Sequence, residues 1–185
     1  MIITPTKLSL AEFLQLPETQ PSSEYINGQI YSKSMPKGKH SAIQTSLVSA
    51  INQVATPRKT ARAFTELRCT FAERSIVPDL SVFSWSRIPL NARGEIDDIF
   101  PLAPDWTIEI LSPEQPSTRV IDKILFCLDY GTELGWLIDP QERLVMSFSP
   151  GKQPRIYQGD TVLPCLESLP DLQIYPQTIF DYLTL

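Results

Sequence analysis

The sequence predicts an α+β fold: a central mixed β-sheet flanked by helices, preceded by a short helix and a β-hairpin. Three observations predict it. Two stretches carry apolar residues at helical spacing, Ile43, Leu47, Val48 and Ile51 in one and Val120, Ile124, Leu125 and Leu128 in the other. Short runs rich in β-branched and aromatic residues lie around them, among them Val77–Trp85, Asp105–Leu111 and Leu134–Ile138. With 185 residues, 42% of them hydrophobic and 20% charged, the chain has material for one buried core and is short for two, so residues 1–185 are expected to form a single domain.

Taken in order, Ser9-Leu10-Ala11-Glu12 has capping-box form and predicts a helix to about Leu16, before Pro17. Asn27-Gly28 between Glu24–Ile26 and Gln29–Tyr31 is a strong hairpin signal. A loop through Pro36 and Gly38 leads to His40, and the first long helix runs from Ser41 to Val54. Ala61–Glu66, Arg68–Phe71 and Val77–Trp85 read as extended. Residues 86–104 form a long excursion of the kind that is usually functional or mobile. Asp105–Leu111 is a strand closed by Ser112-Pro113. A helix from Arg119 to Tyr130 follows, with Gly131 placed to stop it. Leu134–Ile138 and Leu144–Phe148 flank Asp139-Pro140-Gln141-Glu142 as a second hairpin, and a short helix around Ile179–Leu183 ends the chain. Trp85, Trp106 and Trp136 are expected in the core.

Composition excludes several classes. No apolar run approaches the roughly 20 residues of a membrane helix. Met1–Lys7 has no charged-then-apolar signal pattern, and Cys69, Cys127 and Cys165 are odd in number and far apart, which predicts a reducing, cytoplasmic setting. No Walker loop, G-x-S-x-G, dinucleotide glycine pattern or His-rich metal motif occurs. The net charge of −5 argues against indiscriminate polyanion binding. Its distribution is uneven: Lys33, Lys37, Lys39, Arg58, Lys59, Arg62 and Arg68 stand against Glu66 alone. Such a stretch suits an anionic ligand beside a carboxylate site, or is a solvated surface.

Two acids are out of place. Asp79 sits within Ile76-Val77-Pro78-Asp79-Leu80-Ser81-Val82-Phe83, and Glu109 between Ile108 and Ile110. A buried carboxylate costs several kcal/mol unless paired or bound to a cation. Two of them on neighbouring strands repel, and a divalent ion with a preference for hard oxygen ligands, Mg²⁺ or Mn²⁺, resolves the conflict. Alternatively Pro78-Asp79 is a turn and Glu109 faces solvent. Lys123, on the helix after the Glu109 strand, could reach back to the acids, or could pair with Asp122 at the surface. His40 could contact phosphate, assist proton transfer or cap its helix; Gln44 shares its face. Asp139 reads as a turn residue.

The order Glu24, Gly28, Gly38-Lys39-His40, Pro78-Asp79, Glu109-Ile110-Leu111-Ser112-Pro113, Lys123, Tyr130-Gly131 and Gly135-Trp136-Leu137-Ile138-Asp139-Pro140 resembles the bacterial Uma-type restriction endonuclease family of the PD-(D/E)XK superfamily, from about residue 10 to 183. The resemblance implies a restriction-endonuclease-like core and metal-dependent hydrolysis of DNA phosphodiester bonds. It implies Asp79 and Glu109 as metal ligands with the Ile110 carbonyl, Mg²⁺ or Mn²⁺ as the ion, Lys123 as the catalytic lysine and Glu24 as an outer acid. His40, Lys37 and Lys39 are then candidates for DNA contact, and a homodimer is the arrangement that would cut two strands. One departure stands out: Leu111 occupies the place of the lysine two residues after the glutamate, which Lys123 would have to replace. The competing expectations are a nuclease-fold module that binds nucleic acid without cutting it, and an interaction protein whose carboxylates are structural.

Overall fold

In the computed structural model, residues 8–113 and 115–184 are described, so the N-terminal reading on Met1–Lys7 lies outside the described residues. Local signals set the first elements. Ser9 Oγ accepts from Glu12 N at 3.2 Å while Glu12 Oε2 accepts from Ser9 N at 2.8 Å, and this box starts α1 (Leu10–Phe13). The helix is shorter than expected; it ends where Phe13 is buried, with its ring stacked 5.5 Å from that of Tyr25. β1 (Ser23–Ile26) and β2 (Gln29–Ser32) follow, joined by Asn27 at φ 53 and Gly28 at φ 83, the left-handed pair that a tight hairpin turn requires. α2 (Gly38–Ala55) starts earlier than its apolar spacing suggests and takes His40 into its first turn.

The extended run Val77–Trp85 holds one strand, but it starts only at Leu80. After β3 (Ala61–Thr65) and β4 (Cys69–Phe71), β5 (Arg74–Ile76) ends before Val77, and β6 (Leu80–Ser84) begins after Asp79. β5 belongs to a four-stranded sheet, β2-β1-β5-β4, and β6 to a six-stranded one. Val77-Pro78-Asp79 is therefore the crossing between two sheets. The larger sheet continues with β7 (Trp106–Ile110), β8 (Leu134–Asp139), β9 (Leu144–Phe148) and β10 (Arg155–Tyr157), in the order β10-β9-β8-β7-β6-β3. β7 and β8 pair in parallel across α3 (Ser117–Asp129), and the sheet's other pairs are antiparallel. β10 has no counterpart among the expected elements. α4 (Pro176–Asp181) closes the chain.

Strand alternation sorts the side chains between two faces. Ile108, Ile110, Trp136 and Ile138 pack with Ile43, Leu47 and Ile51 of α2 and with the C-terminal segment. Leu137 and Phe148 pack on the other face with Val120 and Ile124 of α3. Trp106 and Trp136 are fully buried as expected, while Trp85 is half-buried against a third cluster. Leu125, expected on the buried face of α3, is 45% exposed; Lys123, Ile124, Phe126 and Cys127 are the residues turned inward. The 86–104 excursion is pinned at both ends of its length. Arg87 pairs with buried Asp105 at its base, and Phe100 is sunk into the core with its carbonyl accepting from Thr70 N at 2.9 Å. The Asp139 carboxylate accepts from Gln141 N and Glu142 N, which is the turn duty expected of it.

Gly135 decides how close α3 lies. A Cβ there would overlap Ile124 Cγ2, so α3 sits nearer to β8 than any side chain at 135 allows. Gly135→Ala is expected to lower stability by about 1–3 kcal/mol, the cost of overpacking a filled core, measured by urea denaturation. Stability unchanged from wild type would show that α3 has room to shift.

Candidate active site

The crossing between the sheets builds the site. Val77 and Asp79 belong to neither ladder, and their backbone groups are satisfied mostly by side chains instead. Val77 N donates to Glu24 Oε1 at 2.9 Å, and the Val77 carbonyl accepts from Lys33 Nζ at 2.8 Å. The Asp79 carbonyl accepts from Gln44 Nε2 at 2.8 Å and from Glu66 N at 3.2 Å. Pro78 has no N–H to satisfy. A buried backbone without such partners would be costly, so the polar cluster and the crossing depend on each other.

Around this crossing the acids gather. Asp79 Oδ2 accepts from the backbone N–H of Ile110 at 2.7 Å, where β6 and β7 have ceased to pair. Its Oδ1 lies 2.7 Å from Lys33 Nζ and 3.5 Å from His40 Nε2, the latter an electrostatic contact too long for a good hydrogen bond. Glu109 is on the α3 face of β7, one turn of the pleat away from the α2 core, and its Oε2 lies 2.8 Å from Lys123 Nζ. The same ammonium reaches Glu24 Oε1 at 2.9 Å. Lys33 Nζ also contacts Glu66 Oε2 at 2.8 Å, and Gln44 Nε2 contacts Glu66 Oε1 at 3.1 Å.

Glu24, Asp79, Glu109 and Lys123, the residues the sequence singles out, thus converge. They do not line an open hollow: Asp79, Glu109 and Lys123 are each no more than 3% exposed. Glu66 is the most exposed acid beside them, with its side chain 33% exposed. His40 faces Asp79 rather than solvent. Lys37 and Lys39 are exposed at the start of α2, beside His40 in the chain. Leu111 stands where the resemblance in sequence expects a lysine. It packs in the apolar cluster with Val120 and Ile124, and Lys123 of the same helix supplies an ammonium at Glu109.

Lys33 and Glu66 carry no strong sequence signal. Lys33 follows a hairpin strand, and Glu66 is the lone acid of the basic stretch, turned inward by a left-handed backbone at φ 50. Other cations of that stretch are engaged elsewhere, Arg58 with Asp171 and Arg68 with Glu18.

Electrostatics divide the two central acids. Burial alone would raise Asp79, but Lys33 and His40 hold it below the usual carboxylate range. Burial dominates at Glu109, with Asp79 and Glu24 adding and Lys123 and Lys33 opposing, and its carboxyl is pushed up to about 8. Burial works against the charge of Lys123, yet Glu109 and Glu24 keep it raised above an ordinary lysine. Because Glu109 binds its proton more tightly folded than unfolded, its contribution to stability is complete below its ordinary value of 4.5 and is lost as pH rises through about 8. Thermal melts of the ion-free protein should show this fall over that window, and Glu109→Gln should flatten it. An equal fall in Glu109→Gln would assign the dependence elsewhere.

A metal ion could be held by part of this donor set, a group of three that does not include Glu109. Glu109 Oε1 and both ring nitrogens of His40 are buried without a hydrogen-bond partner, and His40, Glu66 and Asp79 offer ligand atoms within 4.8 Å of one another. Unpaired buried polar atoms of this kind are rare in a finished fold.

With this geometry established, its relatives can be placed. The Uma2 family, described as "Putative restriction endonuclease", matches residues 10–178. The chain belongs to this family. The crystal structure of a "putative nuclease belonging to DUF820" from Anabaena variabilis ATCC 29413 is similar over 95% of this chain and 99% of that one, at 52% identity and a TM-score of 0.93. No curated protein matches significantly. The α+β fold of this Uma2 chain is therefore that of its structural neighbour, and the descriptions of its family and of that neighbour both support a nuclease. Among the described residues, no helix is long and apolar enough to cross a membrane.

Proposed function

We propose that this Uma2 chain is a Mg²⁺- or Mn²⁺-dependent endonuclease that hydrolyses DNA phosphodiester bonds. The observation that carries the reading is the convergence of Asp79, Glu109 and Lys123 at one end of the sheet, with Lys123 within 2.8 Å of Glu109 despite coming from the next helix. Asp79, Glu109 and the Ile110 carbonyl would hold the ion, with Glu24 behind them. Bound there, it would polarise the scissile phosphate and ease deprotonation of water. Lys123 places positive charge where the transition state gains negative charge, and its two carboxylate partners fix it in position. Glu24 joins this ammonium to the backbone of the crossing through Val77 N. Lys37 and Lys39 lie exposed at the start of α2, where a phosphate backbone would be met, while His40 between them and the acids would act from Asp79's side. Two chains related by a two-fold axis would present two such sites to two strands.

The test is nicking and linearisation of supercoiled plasmid by purified protein with Mg²⁺ or Mn²⁺. Metal-dependent cleavage that chelation abolishes is expected. A second reading, a nucleic-acid-binding module without turnover, is favoured by the depth at which Asp79 and Glu109 lie. Salt-sensitive DNA binding with no cleavage under either ion would select it.

A further inference from the structure

Lys33 is placed as a cation in an oxygen cage. Its ammonium has three donors. It meets Glu66 Oε2 at 2.8 Å, the Val77 carbonyl at 2.8 Å and Asp79 Oδ1 at 2.7 Å, so two carboxylates and a carbonyl satisfy it. A hard oxygen set of this composition is also what Mg²⁺ and Mn²⁺ take. His40, Glu66 and Asp79, the residues whose ligand atoms lie within 4.8 Å of one another, surround this same ammonium or the Asp79 oxygen it contacts. We infer that Lys33 is an exchangeable internal cation: its ammonium holds Glu66, Val77 and Asp79 together, and a divalent ion taken up on Asp79 displaces it toward the Glu66 side.

The inference rests on the metal-dependent reading above and adds to it a residue that must move. A divalent ion and an ammonium cannot both contact one Asp79 oxygen without strong repulsion. Of the two lysines in the cluster, Lys33 is the one free to yield. Its side chain is 10% exposed and borders Glu66, the most accessible acid of the site. It extends just beyond β2, an edge strand whose residues Gln29, Ile30 and Ser32 are exposed. Four methylenes let the head swing without moving the backbone. Lys123 is held on two sides by Glu24 and Glu109 and is enclosed by α3, so it stays. Displaced but tethered, the Lys33 ammonium would stand beside Glu66, on the more exposed side of the cluster.

Lysine footprinting by reductive methylation tests this on the wild-type protein, with and without Mn²⁺. Lys33 should be shielded without the ion and labelled with it, while Lys123 stays shielded throughout. Mn²⁺ binding followed by calorimetry supplies the second measurement. Lys33→Met should bind at least about tenfold more tightly, because the ion no longer waits on departure of the lysine. Lys152→Met, which removes an exposed charge between β9 and β10, should change affinity little. Mn²⁺ binding with Lys33 still shielded, or with equal affinity in Lys33→Met, overturns the exchange alone. No Mn²⁺ binding by wild type or Lys33→Met overturns the metal reading and the exchange with it.

Discussion

Asp79→Asn is expected to reduce metal-dependent plasmid cleavage by about 10²–10³-fold or more, the loss that follows removal of one preorganised electrostatic partner. The substitution is nearly isosteric. An amide oxygen can still accept from the Ile110 N–H, which Asp79 Oδ2 does at 2.7 Å. What it removes is the charge that faces Lys33 and His40. The fold should survive, because Lys33 keeps Glu66 and the Val77 carbonyl as partners and the Asp79 carbonyl keeps Gln44. Circular dichroism melts beside the cleavage assay separate the two effects. Cleavage at the wild-type rate by a folded Asp79→Asn protein would remove Asp79 from the site and the nuclease reading with it.

Lys123→Met should produce the largest loss of stability of any single change in the cluster. Methionine fills similar volume, but Glu24 and Glu109 then face each other without the cation that lies 2.9 and 2.8 Å from them. Breaking a buried pair by removing one partner costs about 3–5 kcal/mol, since the remaining charge stays buried. Urea denaturation measures this. Adding Glu109→Gln to Lys123→Met should recover part of the loss, because the two residues are in contact and their effects are not additive. Cleavage should not return in the double variant, since neither the ammonium nor the carboxylate is restored. If Lys123→Met is as stable as wild type, the ammonium is not what reconciles these acids.

Both experiments act on residues that the sequence alone singles out. Asp79 and Glu109 stand out because each interrupts an apolar run, and such a carboxylate needs a partner wherever the chain folds. Lys123 stands out less by its own position than by Leu111, whose apolar side chain leaves the expected lysine place empty. Lys33 and Glu66 behave differently. Lys33 meets Asp79 across 46 positions of sequence, through an edge hairpin whose own pattern says nothing of that contact. Glu66 turns inward through a left-handed backbone that no residue pattern announces.

The amino-acid sequence by itself determined the order of most elements, the Asn27-Gly28 turn, the two long helices, the strands at Asp105–Leu111 and Leu134–Ile138, and the acids that could not stand alone. These follow from periodicity, turn chemistry and the cost of burying charge, which act locally. Only the tertiary structure decided that Val77-Pro78-Asp79 crosses between two sheets rather than continuing one strand, that Leu125 faces solvent, and that the 86–104 excursion is anchored. It also decided that Asp79 has Lys33 and Glu66 as neighbours. The reason is physical: where two sheets part, backbone groups lose their ladder partners, and whichever side chains reach them are chosen by packing across the whole chain.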